Sequence, residues 1–138
     1  MPSTVTNDAV ESCLRELLVQ DGFQLSPLRA HGETGVDIVA TKFGEAWHIE
    51  VIGYKSSGPA RAKDFFEGFF RAVSRLNDGA KHCVVALADQ AQIGLPARAR
   101  QHRVAWERIA KAFPELEIWL VDVEGRRYEK TTWAEWRR

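Results

Sequence analysis

Two carboxylates on a predicted β-hairpin are the side chains of this sequence best suited to chemistry. Asp37 precedes one run rich in β-branched residues, positions 38–41, and Glu50 lies within a second such run, positions 48–52. Two runs of this kind joined by a glycine-containing turn are typical of a hairpin. The sequence therefore predicts one acid at the start of a strand and the other within the next strand.

The pairing of the two strands decides whether these acids meet. With Gly44-Glu45 as a two-residue turn, Val39 pairs with Glu50 and Asp37 pairs with Ile52. The two acids then lie diagonally on one face of the hairpin, with Cα atoms roughly 7–8 Å apart. At that separation two carboxylates can share a divalent metal ion, which prefers oxygen ligands.

The hairpin resembles the signature of the PD-(D/E)xK nuclease superfamily, whose fold is the restriction-endonuclease-like fold. That signature is an aspartate, a turn and then Glu-x-Lys, and here Asp37 and Glu50 match its two acids. The segments 35–40 and 49–54 look most like those of a group of bacterial members. Ile52 stands where the family has its lysine, which orients the attacking water and offsets charge in the transition state.

The resemblance implies a metal-dependent nuclease that hydrolyses DNA or RNA. Asp37, Glu50 and the backbone carbonyl of Val51 would hold Mg²⁺ or Mn²⁺, which would lower the pKa of a bound water and polarise the phosphate. The superfamily sometimes adds an acid from its first helix. Glu11 is the candidate for that position, and helix capping is the alternative role for it.

A relocated cation could replace the missing lysine, as it does in some superfamily members. Lys55 follows the second strand and Lys63 lies in the first turn of the next helix, so either could reach Glu50. The alternative is that both are solvated surface lysines. His48, on the same face as Glu50, is a weaker candidate for a base or metal ligand.

Two other functions remain open from the sequence. The first is a nuclease-like domain that has lost cleavage and binds nucleic acid or a protein partner, since Ile52 cannot replace a lysine. The second is a small homo-oligomer with no role in nucleic-acid binding. For a nucleic-acid surface, the candidates are the loop before the predicted helix and four cations that could contact phosphates: Ser56, Ser57, Arg61, Lys63, Arg98 and Arg100.

The remaining elements fit an α/β class with a mixed sheet flanked by helices. Asp8 and Glu11 predict a capping box for a first helix that ends at Asp21-Gly22. Later segments predict a strand over 23–29, a helix over 60–76, a strand over 82–88, a helix over 96–113 and a strand over 116–123. The order is the restriction-endonuclease-like αβββαβ core followed by an αβ extension, which we expect to form a single domain over residues 1–138.

Two aromatic groups are assigned mainly to packing. In the helix over 60–76, the phenylalanines at 65, 66, 69 and 70 are expected to share one buried stripe, and Gly68 is expected to permit close approach to the sheet. Near the C-terminus, Thr132 and Glu135 predict a capped final turn. Trp133 and Trp136 on that turn indicate docking onto the body of the chain or onto a second subunit.

Composition bounds the classes of function. Residues 1–54 contain 8 acidic and 3 basic side chains, whereas residues 55–138 contain 11 acidic and 16 basic ones. An acidic part beside a basic part suits a metal site next to a phosphate-binding surface, although solvated helix faces give similar sums.

Cys13 and Cys83 fall in apolar patterns and are expected in the core. With no run long enough to span a membrane and no signal peptide, we expect a cytoplasmic protein.

Overall fold

The structure, a computed structural model, describes residues 4–28 and 35–137 and has an α/β architecture. A six-stranded mixed sheet is combined with four α-helices in these ranges. The elements in chain order are α1 (Asn7–Gln20), β1 (Gln24–Leu25), β2 (Ile38–Lys42), β3 (Glu45–Ile52), α2 (Gly58–Ser74), β4 (Cys83–Ala88), α3 (Leu95–Gln101), α4 (Arg103–Ala112), β5 (Leu116–Asp122) and β6 (Arg127–Thr132). No helix of the described ranges is long and apolar enough to cross a membrane.

The strands lie in the sheet in the order in which they occur in the chain, from β1 to β6. The pairs β1–β2, β2–β3 and β5–β6 are antiparallel, whereas β3, β4 and β5 are parallel neighbours. Parallel neighbours need a connection across the sheet, which α2 provides between β3 and β4, and α3 with α4 between β4 and β5. The mixed sheet predicted from the sequence is therefore confirmed.

The two faces of the sheet bury separate cores. Helix α1 covers one face, where its leucines pack against Ile49 and Val51 of β3. Helices α2, α3 and α4 cover the other face, where they pack against Ile52 of β3 and the alternate residues of β4 and β5. Cys13 lies in the first core and Cys83 in the second, as the sequence predicts.

The predicted turn of the hairpin is wrong by one residue. The turn residues are Phe43 and Gly44, and Lys42 pairs with Glu45. Both turn residues have positive φ, 53° and 79°, as in the two-residue turn whose twist matches that of the strands. Val39 consequently pairs with His48 instead of Glu50. A slip of two residues along one strand leaves every paired side chain on the predicted face, whereas Asp37 precedes β2 and lies outside this pairing.

Several element boundaries also differ from the predictions. Helix α1 is capped by Thr6, whose hydroxyl accepts a hydrogen bond from the Ala9 N–H at 3.1 Å, instead of by Asp8 with Glu11. The predicted strand over 23–29 is reduced to β1, and its last position lies outside the described residues. The predicted helix over 96–113 is divided at His102 into α3 and α4. Strand β6 was not predicted because its mostly polar edge sequence lacks an apolar run.

Helix α2 lies close to the sheet at Gly68, which confirms the role predicted for this glycine. A Cβ atom at position 68 would lie 2.0 Å from Cδ1 and 3.1 Å from Cγ1 of Ile52. The expected single buried phenylalanine stripe is wrong, however. Phe65 is buried, but Phe66 and Phe70 are 42% and 67% exposed, because residues on opposite sides of this helix cannot all face the sheet.

The C-terminal turn docks onto the body of the chain. The Thr132 N–H donates to Glu135 Oε2 at 2.9 Å and the Glu135 N–H donates to Thr132 Oγ1 at 3.3 Å, which confirms the predicted cap. Trp133 is 2% exposed and its ring lies 3.9 Å from that of Trp106 between centroids. Each indole N–H donates to the other residue's carbonyl. Trp133 is therefore part of this chain's own core, while formation of a homo-oligomer stays a prediction.

His82 contacts acidic residues near the starts of β3 and β5. Its Nε2 lies 3.0 Å from Glu45 Oε2 and its Nδ1 lies 2.9 Å from Glu117 Oε2, and its ring stacks on Trp47. Burial lowers the pKa of His82, but the hydrogen bonds to Glu45 and Glu117 outweigh it and raise the pKa above its usual value.

The contact between Ile52 and Gly68 predicts the effect of a single methyl group. Gly68→Ala should lower the free energy of unfolding by about 1–2 kcal/mol, since overpacking outweighs the gain in helix propensity. Urea unfolding measures this. The matched control is Gly94→Ala, because nothing lies within 4 Å of a Cβ there, and it should change stability by less than about 0.5 kcal/mol. Adding Ile52→Ala should make Gly68→Ala nearly neutral, and strictly additive losses would contradict this account.

The position of His82 predicts a pH dependence of stability. Because its folded pKa is raised, its contribution is complete below about pH 6.5 and is lost as the pH rises through the folded value. Urea unfolding between about pH 6 and pH 8.5 should show a decline that is smaller in His82→Asn. Burial lowers the pKa of His48, so His48→Asn is a control that should change the dependence on the acid side instead. An unchanged slope in His82→Asn would contradict the assignment.

Candidate functional site

Asp37 is positioned at the end of the β2–β3 ladder. The last paired residues there are Ile38 and Ile49. Beyond them the Val51 N–H donates a hydrogen bond to Asp37 Oδ2 at 2.8 Å. The Asp37 carboxylate thus accepts a hydrogen bond from the N–H of Val51, the residue after Glu50. The structure therefore brings Asp37 to the segment with which the sequence predicts that it shares a metal.

Glu50 points from β3 toward α2 and is 3% exposed. Its partner there is Arg75, just past the end of α2, whose Nε lies 3.6 Å from Glu50 Oε2. Arg75 also forms an ion pair with Asp78, with Nη1 3.1 Å from Oδ2. A carboxylate withdrawn from water to this extent needs a nearby cation to remain charged. Arg75 provides that cation from within the chain.

Ile52, for which the resemblance to the PD-(D/E)xK signature would predict a lysine, is part of the core. It is 8% exposed and packs against Gly68 on the face covered by α2. Its contact with Gly68 sets the distance between α2 and the sheet. A lysine here would place its ammonium group in an apolar contact.

The two candidate replacement lysines have other partners. Lys55 Nζ lies 3.0 Å from Asp64 Oδ2, so its cation is paired with α2. Lys63 is exposed, and its Nζ lies 4.0 Å from Glu67 Oε2, one helical turn further along α2. The nearest match to a relocated cation at Glu50 is therefore Arg75, which sequence reasoning missed.

A signal for Arg75 is present in the sequence. Phe65, Gly68 and Ala72 form the buried stripe of α2, and Arg75 continues it at helical spacing. A cation at the end of a buried stripe indicates that an acid faces it from the sheet. This inference would have paired Arg75 with Glu50.

Glu11 belongs to α1, which packs on the face of the sheet opposite Glu50. Its Oε2 lies 2.8 Å from Arg15 Nε. Arg15 in turn donates from Nη2 to the backbone oxygen of Asp37 at 3.0 Å and from Nη1 to that of Ser26 at 2.6 Å. Glu11 thus holds an arginine that positions the Asp37 segment.

His48 lies two residues before Glu50 on the same face of β3. Burial lowers its pKa, Asp78 raises it and Arg75 lowers it, and the net result is a neutral ring at physiological pH. Its Nδ1 is buried and has no hydrogen-bond partner among the described residues. The positive charge near Glu50 therefore comes from Arg75 and not from His48.

The three acids predicted to hold Mg²⁺ all have contacts within the chain. Glu50 faces Arg75, Asp37 accepts the Val51 N–H, and Glu11 is paired on the other face. Within residues 4–28 and 35–137, no group of three or more His, Cys, Asp or Glu side chains is placed to hold a metal ion.

Two of the residues predicted to contact nucleic acid line a cleft at the N-terminal end of α2. The cleft has a volume of about 420 Å³ and lies at the carboxyl ends of β3 and β4, and both Arg61 and Arg98 line it. Ser57 caps α2 at its rim, since its Oγ accepts a hydrogen bond from the Ala60 N–H at 3.2 Å. Ser56 precedes this cap in the same loop, and its carbonyl accepts from Arg61 Nη1 at 3.0 Å.

Lys63 and Arg100 are not among the residues lining this cleft. Both are exposed, Lys63 on α2 and Arg100 on α3, the two helices that contribute to its walls. The six predicted residues therefore fall on two neighbouring helices and the loop before the first of them.

In comparisons with known proteins, the chain matches no protein-family model, no curated protein and no solved structure.

The ion pair between Glu50 and Arg75 predicts a stability change. Arg75→Met should lower the free energy of unfolding by about 1–3 kcal/mol, because a buried carboxylate loses its cation. The loss should be smaller in a Glu50→Gln background. Urea unfolding of the unsubstituted chain, the two single variants and the double variant measures this. Lys63→Met is the control, since its exposed pair should contribute less than about 0.5 kcal/mol. Equal losses in both backgrounds would show that Arg75 acts independently of Glu50.

Proposed function

We propose that this chain is a nuclease-like domain that binds nucleic acid through phosphate contacts without cleaving it. The observation that supports this most directly is the state of the motif acid: Glu50 is buried and faces Arg75. The order α1, β1, β2, β3, α2, β4 is that of the restriction-endonuclease-like core and supports the proposed relationship to the PD-(D/E)xK superfamily.

The proposed absence of cleavage follows from the contacts of Ile52 and Glu50. Ile52 packs against Gly68 and offers no cation to an attacking water. Glu50, which would hold the metal, is instead an ion-pair partner of Arg75. Removing one positioned charge from a phosphoryl-transfer site typically lowers the rate by a factor on the order of a thousand. Regaining cleavage would need both contacts to change.

Phosphate binding does not need these acids. Arg61, Lys63, Arg98 and Arg100 lie on α2 and α3, on the side of the sheet opposite α1. Arginine and lysine contacts to phosphate oxygens give binding that depends on salt and only weakly on base sequence. Phe66 and Phe70 are exposed on α2 near Lys63, so bases of a single strand would find rings to stack on.

Binding and cleavage can be measured on the same oligonucleotides. We expect single- or double-stranded DNA or RNA with 5′-hydroxyl ends to bind with an affinity that falls as salt rises. Lys63→Gln with Arg100→Gln should weaken binding about three- to tenfold and reduce the salt slope by about 2. Arg127→Gln, an exposed arginine on β6, is the matched control and should leave both unchanged.

With Mg²⁺ or Mn²⁺ added, we expect no cleavage of any of these substrates. Metal-dependent cleavage that is lost in Asp37→Asn and in Glu50→Gln would contradict the proposal and establish a nuclease. Failure of every oligonucleotide to bind at low salt would contradict it equally and leave a protein-binding or assembly role.

A further inference from the structure

The cleft between α2 and α3 has a charge that nothing in its walls balances. Arg61 and Arg98 both line it, and none of the other described lining residues is acidic. Its floor is apolar and includes the buried side chains of Phe65, Leu87 and Leu95. A cleft of about 420 Å³ lies in the usual range for small-molecule sites.

Both arginines contact aromatic rings, and Arg61 also donates hydrogen bonds to backbone carbonyls. Arg61 Cζ lies 4.8 Å from the centroid of the Tyr54 ring, and its Nη1 donates to the carbonyls of Lys55 and Ser56 at 2.9 and 3.0 Å. Arg98 Cζ lies 5.3 Å from the centroid of Phe65. Groups fixed in this way lose little conformational entropy when they bind an anion.

The Tyr54 wall of the cleft is itself anchored. The N–H and carbonyl of Tyr54 exchange hydrogen bonds with those of Val5 at 2.7 and 2.9 Å, which joins the segment before α1 to the end of β3. Gly53 permits this crossing, because a Cβ at position 53 would lie 2.2 Å from the Val5 carbonyl oxygen. The Tyr54 ring, which contacts Arg61, is therefore attached to a backbone segment that is hydrogen-bonded to Val5.

The environment of Arg98 is unfavourable to a cation without a counter-ion. Burial, and after it the charge of Arg61, lower the pKa of the Arg98 guanidinium, while Tyr54 raises it. Two like charges face one cleft, so an anion between them would relieve their repulsion. The anion that compensates both is a dianion.

We propose that this cleft binds the phosphate monoester of a nucleotide, with Arg61 and Arg98 as its two cations. A monoester has a charge near −2 at neutral pH, whereas each phosphodiester of a strand has a charge of −1. The apolar side chains at the mouth, among them the exposed Ile93, provide a surface for the base. This assignment deepens the proposed function, since the phosphorylated end of a strand is one source of such a group.

The source of the monoester is either a free nucleotide or a strand end. We would record ¹H–¹⁵N spectra of the arginine Nε–Hε groups with thymidine 5′-monophosphate, with thymidine and with inorganic phosphate. The monophosphate should shift the Arg61 and Arg98 signals, and thymidine should not. Absence of any shift with the monophosphate at millimolar concentration would overturn the proposal.

Oligonucleotides distinguish the strand end. The same single strand with a 5′-phosphate, a 3′-phosphate or hydroxyl ends is compared by fluorescence anisotropy. One phosphorylated end should bind about tenfold more tightly than the hydroxyl form, the effect of one further charge-assisted contact. Arg61→Gln with Arg98→Gln should abolish this preference, whereas Arg61→Lys with Arg98→Lys should retain part of it and Arg127→Gln all of it.

The outcomes separate the two proposals. Equal affinity for hydroxyl and phosphorylated strands, with no spectral shift by the monophosphate, would overturn the cleft assignment and leave backbone binding intact. Binding of the free monophosphate alone, without binding of any strand, would support the cleft assignment and overturn nucleic-acid binding. Thermal unfolding of each variant identifies a loss that comes from misfolding, and the lysine pair tests the charge in a chain with both side-chain stems retained.

Discussion

The contact between Ile52 and Gly68 sets how closely α2 lies on the sheet. Glycine at that position allows the helix backbone to approach until an added Cβ would lie 2.0 Å from the isoleucine side chain. Because α2 connects two parallel neighbours, β3 and β4, its height above the sheet also places its ends. Arg75 follows one end of α2 and contacts Glu50, and Gly58 and Arg61 at the other end line the cleft.

The same packing determines the surroundings of Glu50. A lysine at position 52 would need room for its charged head, and the helix would have to lie further from the strand. Isoleucine removes that requirement and allows a tight apolar contact. Glu50, two residues earlier on the same face, is then buried beneath α2 and needs the cation that Arg75 provides. Glu50 and Asp37 therefore both make contacts that stabilise the fold.

The mixed sheet and the buried faces of its strands could be predicted from the sequence, because both depend on local periodicity. Glu50 and Ile52 were placed on one face of β3 even though the turn was assigned one residue late, since that assignment depends only on the two-residue period of a strand. What it could not reach depends on contacts between distant segments. The pairing of Glu50 with Arg75 joins residues 25 positions apart, and the Tyr54 wall of the cleft depends on Val5. Strand β6 was missed because an exposed edge strand has little apolar signal.

The central proposal is that Glu50 is paired with Arg75 and does not hold a metal with Asp37. Titration of Mn²⁺ into the ¹⁵N-labelled protein tests it, because a bound paramagnetic ion broadens nearby amide signals. The account predicts no selective broadening of the amides of Ile38, Val51 and Ile52 at millimolar Mn²⁺. Selective broadening of these signals that Asp37→Asn abolishes would contradict it and restore the metal site that the motif implies.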